Sequence, residues 1–174
     1  HNTDVVIIGA GLSGLAAAKK FINTKYKVLL IEQDSYLGGI LKNSNKVKTI
    51  NGLTPQEWIS ETEELILNSK NITILKNTLV TTYNFTNHLI ALEDKFAGKK
   101  IDLNKSELTL HKIRTSNTII ANGHIERFIS FRNNDLPGVM LASSFEKYIH
   151  RYGVVPEKEP VIFTNNSSSL SLLK

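Results

Sequence analysis

An α/β fold on a parallel sheet is predicted by three features near the start of the chain. A short apolar run, DVVII at 4–8, leads directly into a glycine-bearing turn; a helix-forming stretch, LAAAKKF at 15–21, follows; and a second apolar run, VLLI at 28–31, closes on the acid Glu32. Apolar runs of four or five residues bounded by turn signals suit strands buried on both faces, as a parallel sheet covered by helices requires. The order strand, helix, strand makes a βαβ unit.

The turn reads G-A-G-L-S-G over 9–14. Gly9 lets the chain reverse sharply at the strand end. Gly11 lacks the Cβ that would hold the backbone away from a pyrophosphate. Gly14 lets the helix lie close on the sheet, with its N-terminal N–H groups and positive dipole end toward the phosphates. Glu32 stands 18 residues after Gly14, where a carboxylate can accept from both ribose hydroxyls and would repel a 2′-phosphate. Three glycines alone are a weak signal; in register with two strands, a helix and a terminal acid they point to a dinucleotide-binding, Rossmann-like unit. The bland reading is a core turn with no ligand. A signal-peptide core over Val5 to Ala18 fits poorly, because Asp4 stands where positive charge belongs.

The rest of the chain follows in order. Gly38-Gly39 lies in a polar loop and either brings backbone close to the ligand's far half or to the first glycine turn, or is a plain flexible turn. Thr54-Pro55-Gln56-Glu57 is a capping box with proline at the first helical position, predicting a helix to about Asn68 with Trp58, Thr62, Leu65 and Ile66 on one face. Trp58 reads as a core anchor. Residues 72–75 predict a third parallel strand flanking the first, and backbone at Val80 is placed to meet an adenine edge. Runs at 80–85, 88–92 and 107–114, the last after a lysine-rich loop at 95–105, predict an inserted antiparallel meander over about 80–114. Residues 118–121 return as a buried strand that Asn122-Gly123 ends beside the first glycine turn. Ser143 or Ser144 is expected to cap a helix through Arg151 that Gly153 terminates. The predicted domains are 1–158, the dinucleotide-binding unit, and 159–174, where VIFT at 161–164 reads as the first strand of a truncated second unit and Asn165 to Ser169 as its turn.

Composition narrows the function. With 174 residues, 41% of them hydrophobic, the chain can bury one substantial core. It has no cysteine, which removes disulfide frameworks, thiolate metal sites and a redox C-x-x-C pair. No apolar run reaches membrane-spanning length and no targeting segment is evident, so the expected setting is cytoplasmic. The net charge of +5 suits anionic ligands, but the lysines are scattered, so no nucleic acid partner is expected. The five histidines, His1, His88, His111, His124 and His150, show no metal-ligand spacing. The sequons at Asn71 and Asn84 read as incidental.

The order G-A-G-L-S-G, acid, Gly38-Gly39, meander and Ala121-Asn122-Gly123 resembles flavoproteins with two dinucleotide-binding domains. The runs NGHIER, NNDLPGVMLAS, RYGV and VIFTNNSS are similar to the N-terminal half of the alpha subunit of heterotetrameric sarcosine oxidases. That resemblance implies an enzyme oxidatively demethylating sarcosine with tetrahydrofolate as one-carbon acceptor and oxygen as electron acceptor. It also implies FAD on a beta subunit, FMN at the alpha/beta interface, and NAD in the alpha subunit's own site. By matching positions, Gly9, Gly11, Ser13, Gly14, Glu32, Gln33, Asp34, Ile40 and Val80 line the NAD site, with Gly39 and Gly123 close by. The chain departs from the family's pattern at Asn122, usually threonine, and at Asp34, where many relatives carry arginine; the turn after VIFT has no glycine to admit a second phosphate group.

Three functions stay open. One is a nucleotide-holding part of a multisubunit oxidase, partnered above all by the beta subunit, with no catalytic residues of its own and no metal. Another is the FAD-binding domain of a related amino-acid or opine dehydrogenase, since Glu32 serves any adenosine ribose. The third is an empty module that binds another subunit through 122–142. His124, Glu126 and Arg127 form a polar group without an assigned role.

Overall fold

The computed structural model describes residues 1–43, 46–84, 86–95, 107–157, 159–167, 169 and 172. Within these residues the chain runs through β1 (Asn2–Ile8), α1 (Leu12–Lys20), β2 (Val28–Ile31), a 3₁₀ turn (Gly39–Lys42), α2 (Pro55–Leu67), β3 (Ile72–Leu75), β4 (Thr78–Asn84), β5 (His88–Asp94), β6 (Leu108–Ile120) and α3 (Ala142–Tyr152). The sheet order is β3-β2-β1-β6-β5-β4. β1 runs parallel to β2 and to the second half of β6, and β2 runs parallel to β3. β4, β5 and the first half of β6 are antiparallel.

Strand alternation sorts the apolar residues into two cores. Val5, Ile7, Val28 and Leu30 face Leu15 and Ala18 of α1 and Trp58, Ile59 and Ile66 of α2. Their neighbours Val6, Leu29 and Ile31 point the other way and pack on Leu89, Ala91 and Ile113 of the meander. The molecule is thus layered as helices, parallel sheet and meander. That explains why VVII and VLLI carry no polar residue: both faces are covered. Trp58 is the buried anchor expected of it, whereas Leu65, expected on the same face, is 39% exposed.

The helix starts follow the local chemistry. Thr54 caps α2 in a complete capping box, its hydroxyl accepting from the Glu57 amide and Glu57 accepting from the Thr54 amide, with Pro55 in the first turn. Gly153, in the left-handed region, ends α3 as expected. Its start differs from expectation. Leu141 occupies the N-cap and no residue adjacent in sequence caps the helix. Glu126 does so from 17 residues upstream, accepting from the Ser143 amide at 2.8 Å.

Three sequence expectations are corrected. β3 lies beyond β2 and does not touch β1, because the place beside β1 goes to β6. The strands expected separately at 107–114 and 118–121 are one strand of 13 residues. Its polar middle, Arg114-Thr115-Ser116-Asn117, stays extended because it pairs with the polar start of β1 at Asn2 and Thr3 while crossing from one layer to the other. No strand forms at 161–164; Val161 is 96% exposed, and without a neighbouring ladder its backbone gains nothing from extension. The loop expected beyond Lys95 and the end of the chain past Ser169 fall almost entirely outside the described residues.

Asn71 also has a firm structural role. Its amide nitrogen donates to the carbonyls of Phe21 at 2.9 Å and Tyr26 at 2.8 Å, and its oxygen accepts from Ser69 at 2.6 Å. It ties the α1–β2 connection to the start of β3, so its place in a sequon is incidental to that work.

Candidate nucleotide site

The site begins where β1 ends. Gly9 has φ of +94°, and a Cβ built on it would stand 2.5 Å from the Ala121 carbonyl oxygen. Only glycine allows both the turn and this approach of the segment that follows β6. A Cβ on Gly14 would stand 1.8 Å from the Gly9 carbonyl oxygen, so α1 sits against the turn at backbone distance. Those two glycines are explained by the protein's own packing.

Gly11 is different. Its φ of −71° and ψ of −170° suit any residue, and a Cβ added there would meet no atom within 4 Å. It is also the N-cap of α1, where a serine or aspartate would serve the helix better, and no side chain caps that end. The first turn, Leu12-Ser13-Gly14, holds no acidic side chain, and Ser13 is exposed. A bare helix N-terminus facing open space across a missing Cβ is an anion cradle.

Glu32 immediately follows β2 and is 7% exposed. One carboxylate oxygen accepts from the Ala10 amide at 2.7 Å and the other from the Asp34 amide at 2.9 Å. The acid therefore fixes the middle of the glycine turn and the start of the next loop, and each oxygen keeps a lone pair for a further donor. This double backbone role is not legible from spacing alone.

The loop after Glu32 folds back on the turn. The Gly38 amide donates to the Ala10 carbonyl at 2.8 Å, and a Cβ on Gly39 would lie 3.2 Å from the Gly11 Cα. Of the readings open for this glycine pair, close passage by the first turn is the one observed. Ile40 follows on the 3₁₀ turn and is 49% exposed. Gln33 is exposed and Asp34 half-buried. The start of β4 is stitched to the same place, with Thr78 donating to the Glu32 carbonyl at 2.9 Å and Asn77 to the Asp34 carbonyl at 3.1 Å. Val80 is two residues further along this edge strand, partly buried against the second core, at a register irregularity between Val80 and Thr82. On the other side, the Asn122 Cα is 3.1 Å from the position of a Gly9 Cβ, and Gly123 follows it with open space around it. Gly9, Gly11, Ser13, Gly14, Glu32, Asp34, Gly39, Ile40 and Gly123 thus gather around one turn, with Val80 joined through Thr78.

Sequence reasoning missed a second group. Arg151, in the last turn of α3, lays its guanidinium 4.1 Å from the centre of the Tyr36 ring and donates to the Tyr36 hydroxyl across 115 residues. It also stands 4.0 Å from the Asp34 carboxylate. Burial, and then the Asp34 carboxylate beside it, push the Tyr36 phenol up to about 12. Lys46 and the buried Glu146 bridge at 3.1 Å and hold α3 at a second point. No periodicity in the sequence brings these residues together.

Glu126, left without a role by the sequence, caps α3. Burial disfavours its charge, but hydrogen bonds from the Ser143 side chain and amide and from the Ala142 amide, with Lys46 nearby, outweigh that and hold its carboxyl below the usual range. His124 and Arg127 are exposed. The histidines are less isolated than expected. His111 meets Glu93 at 2.8 Å and His1 at 3.0 Å, because Glu93 and His111 are diagonal neighbours across β5 and β6. They sit toward the Asn2 end of β1, away from the glycine turn. Among the described residues no group of acids, histidines or cysteines is arranged to hold a metal ion, and no helix is long and apolar enough to cross a membrane.

Residues 3–161 match the pyridine nucleotide-disulphide oxidoreductase family. The chain belongs to that family. Sarcosine oxidase subunit alpha of Corynebacterium sp. (strain P-1) is 32% identical over 178 residues, covering 99% of this chain and 18% of the relative. The subunit of the same name from Rhizobium meliloti (strain 1021) is 32% identical over 172 residues, covering 97% and 17%. The resemblance drawn from NNDLPGVMLAS and RYGV is therefore borne out along nearly the whole chain, which spans less than a fifth of the length of the curated relatives it matches. L-Proline dehydrogenase from P. horikoshii superposes with a TM-score of 0.65 at 22% identity, over 88% of this chain and 29% of that one, a likeness of fold. The predicted Rossmann-like sheet with its antiparallel meander is the fold of this pyridine nucleotide-disulphide oxidoreductase family member.

Proposed function

We propose that this chain is the nucleotide-holding part of a larger sarcosine oxidase-type oxidoreductase, binding NAD at the glycine turn without reacting with it. Gly11 is the observation that carries the reading: it is the one glycine of the motif that neither backbone conformation nor protein packing requires, so a ligand is what its missing Cβ accommodates. The N-terminal amides of α1 and Ser13 take the pyrophosphate, Glu32 the adenosine ribose, and Asp34, Ile40 and Val80 flank the adenosine. The remainder of the dinucleotide extends past Gly39 and Gly123. No residue in this group is arranged as an acid, base or nucleophile toward a substrate. Oxidation of the amine, FAD, FMN and folate chemistry belong to other parts and subunits of the parent assembly, the beta subunit foremost, and the cysteine-free composition suits a cytoplasmic setting.

FAD is the second reading, favoured by the family match, because the turn and Glu32 recognise an adenosine diphosphate half common to both cofactors. Denaturing the purified protein and identifying the released nucleotide separates them. A colourless nicotinamide dinucleotide supports the first reading and a yellow flavin the second. Failure of the chain to carry or bind either, measured by calorimetry, refutes both.

A further inference from the structure

The position two residues after Glu32 holds a carboxylate, Asp34, which by itself makes the ribose end of the site doubly acidic. The structure brings a cation to the same place from a distant element. Arg151 lies 4.0 Å from Asp34, is stacked on Tyr36 at 4.1 Å, and has the Tyr152 ring at 5.2 Å on its own helix. The Asp34 amide in turn donates to the Glu32 carboxylate. Glu32, Asp34 and Arg151 are therefore one chain of contacts, running from the ribose acid outward. Beside it lies an open cleft of about 270 Å³ lined by Tyr36, Lys42, His150 and Arg151, with room for a phosphate group. The charge on Arg151 is balanced by Asp34, and its donors are drawn toward Tyr36 and Asp34.

We propose that Arg151 and Asp34 together set ribose specificity at this site: Asp34 neutralises and retains the arginine that α3 brings beside the ribose acid, so that the site accepts an adenosine ribose with a free 2′-hydroxyl and rejects a 2′-phosphate. The inference rests on the nucleotide-binding reading and adds to it a residue from outside the dinucleotide motif. A phosphate at the 2′ position meets Glu32 and Asp34 as like charges; with Asp34 made neutral, Arg151 is free to reach it with charge-assisted hydrogen bonds.

The test compares ADP with 2′-phosphoadenosine 5′-diphosphate, which differs from it only by the 2′-phosphate, by calorimetry on the full chain, reading the ratio of the two Kd values. In the native protein ADP binds tighter. Asp34→Asn is expected to shift the ratio toward the 2′-phosphate by roughly tenfold, the order of one charge-assisted hydrogen bond. Adding Arg151→Gln, which keeps a planar amide over Tyr36, is expected to abolish that shift, and adding Arg151→Lys to retain part of it. An unchanged ratio in Asp34→Asn, or a shift that persists without the arginine, overturns the specificity role while leaving nucleotide binding intact. Failure of the native chain to bind either probe overturns the nucleotide-binding reading, and this inference with it.

Discussion

Replacing Gly11 and Gly14 separately by alanine distinguishes a glycine kept for a ligand from one kept for the fold. At Gly14 the new methyl would stand 1.8 Å from the Gly9 carbonyl oxygen, a backbone atom held by β1. Relief requires α1 to lift off the sheet, disturbing Leu15 and Ala18 in the first core. Overpacking against backbone costs about 3 kcal/mol, which for a chain of this size lowers Tm by roughly 6–12 °C. At Gly11 the methyl meets nothing within 4 Å at an unstrained φ. Its weaker N-cap costs up to about 1 kcal/mol, offset by about 0.4–1 kcal/mol of reduced unfolded-state entropy. The net change in Tm should stay within about 2 °C. Nucleotide binding should respond in the opposite sense: the Gly11 methyl occupies the cradle, and losing one hydrogen bond from an amide to a charged phosphate costs about 1.5–3 kcal/mol, roughly a 10- to 150-fold rise in Kd. Differential scanning calorimetry and titration with NAD read the two quantities. A Gly11→Ala protein that binds NAD as the native chain does, or that loses as much stability as Gly14→Ala, refutes the assignment.

Other residues give separate predictions. Glu32→Gln replaces one acceptor by an N–H group that must face the Ala10 or Asp34 amide, so stability should fall by about 1–3 kcal/mol before any ligand is considered; chemical denaturation of the ligand-free chain measures this, and an unchanged midpoint would argue against the double backbone role. Glu126 has its folded pKa lowered by the α3 amides, so its contribution is present above the usual carboxylate range and is lost as pH falls through the depressed value. Protection of the Ala142 and Ser143 amides against hydrogen exchange, corrected for the intrinsic rate, should therefore fall in acid, and Glu126→Gln should flatten that dependence. Tyr36, raised to about 12, favours the neutral phenol in the folded state. Its contribution is whole below the ordinary tyrosine value near ~10 and is lost as pH rises through its own. Spectrophotometric titration should show one late-ionising tyrosine that disappears in Tyr36→Phe.

Much of the inner fold was written locally. The strand, turn, helix and strand up to Glu32 follow from residue type and spacing, and the Thr54 capping box marks the start of α2 to the residue. What failed was non-local. The polar stretch Arg114 to Asn117 resembles a break unless its partner, the polar start of β1, is known. VIFT has every local property of a strand, yet no ladder receives it. At the site, the glycines and Glu32 are visible because each job demands a particular residue type. Arg151 and Glu126 are not, because a cation or an acid on an amphipathic helix or loop has many possible partners and only the packing of α3 selects Tyr36, Asp34 and the Ser143 amide.

The single strand β6 makes the meander inseparable from the sheet. Its first half belongs to the hairpin layer, its second half closes the parallel sheet against β1, and the next residue, Ala121, lies on Gly9. An insertion that entered and left through two independent loops could be trimmed or exchanged as a cassette. This one cannot, since cutting it out removes the strand that walls the glycine turn. The meander is a structural wall of the cradle, and the glycine turn depends on it for its shape.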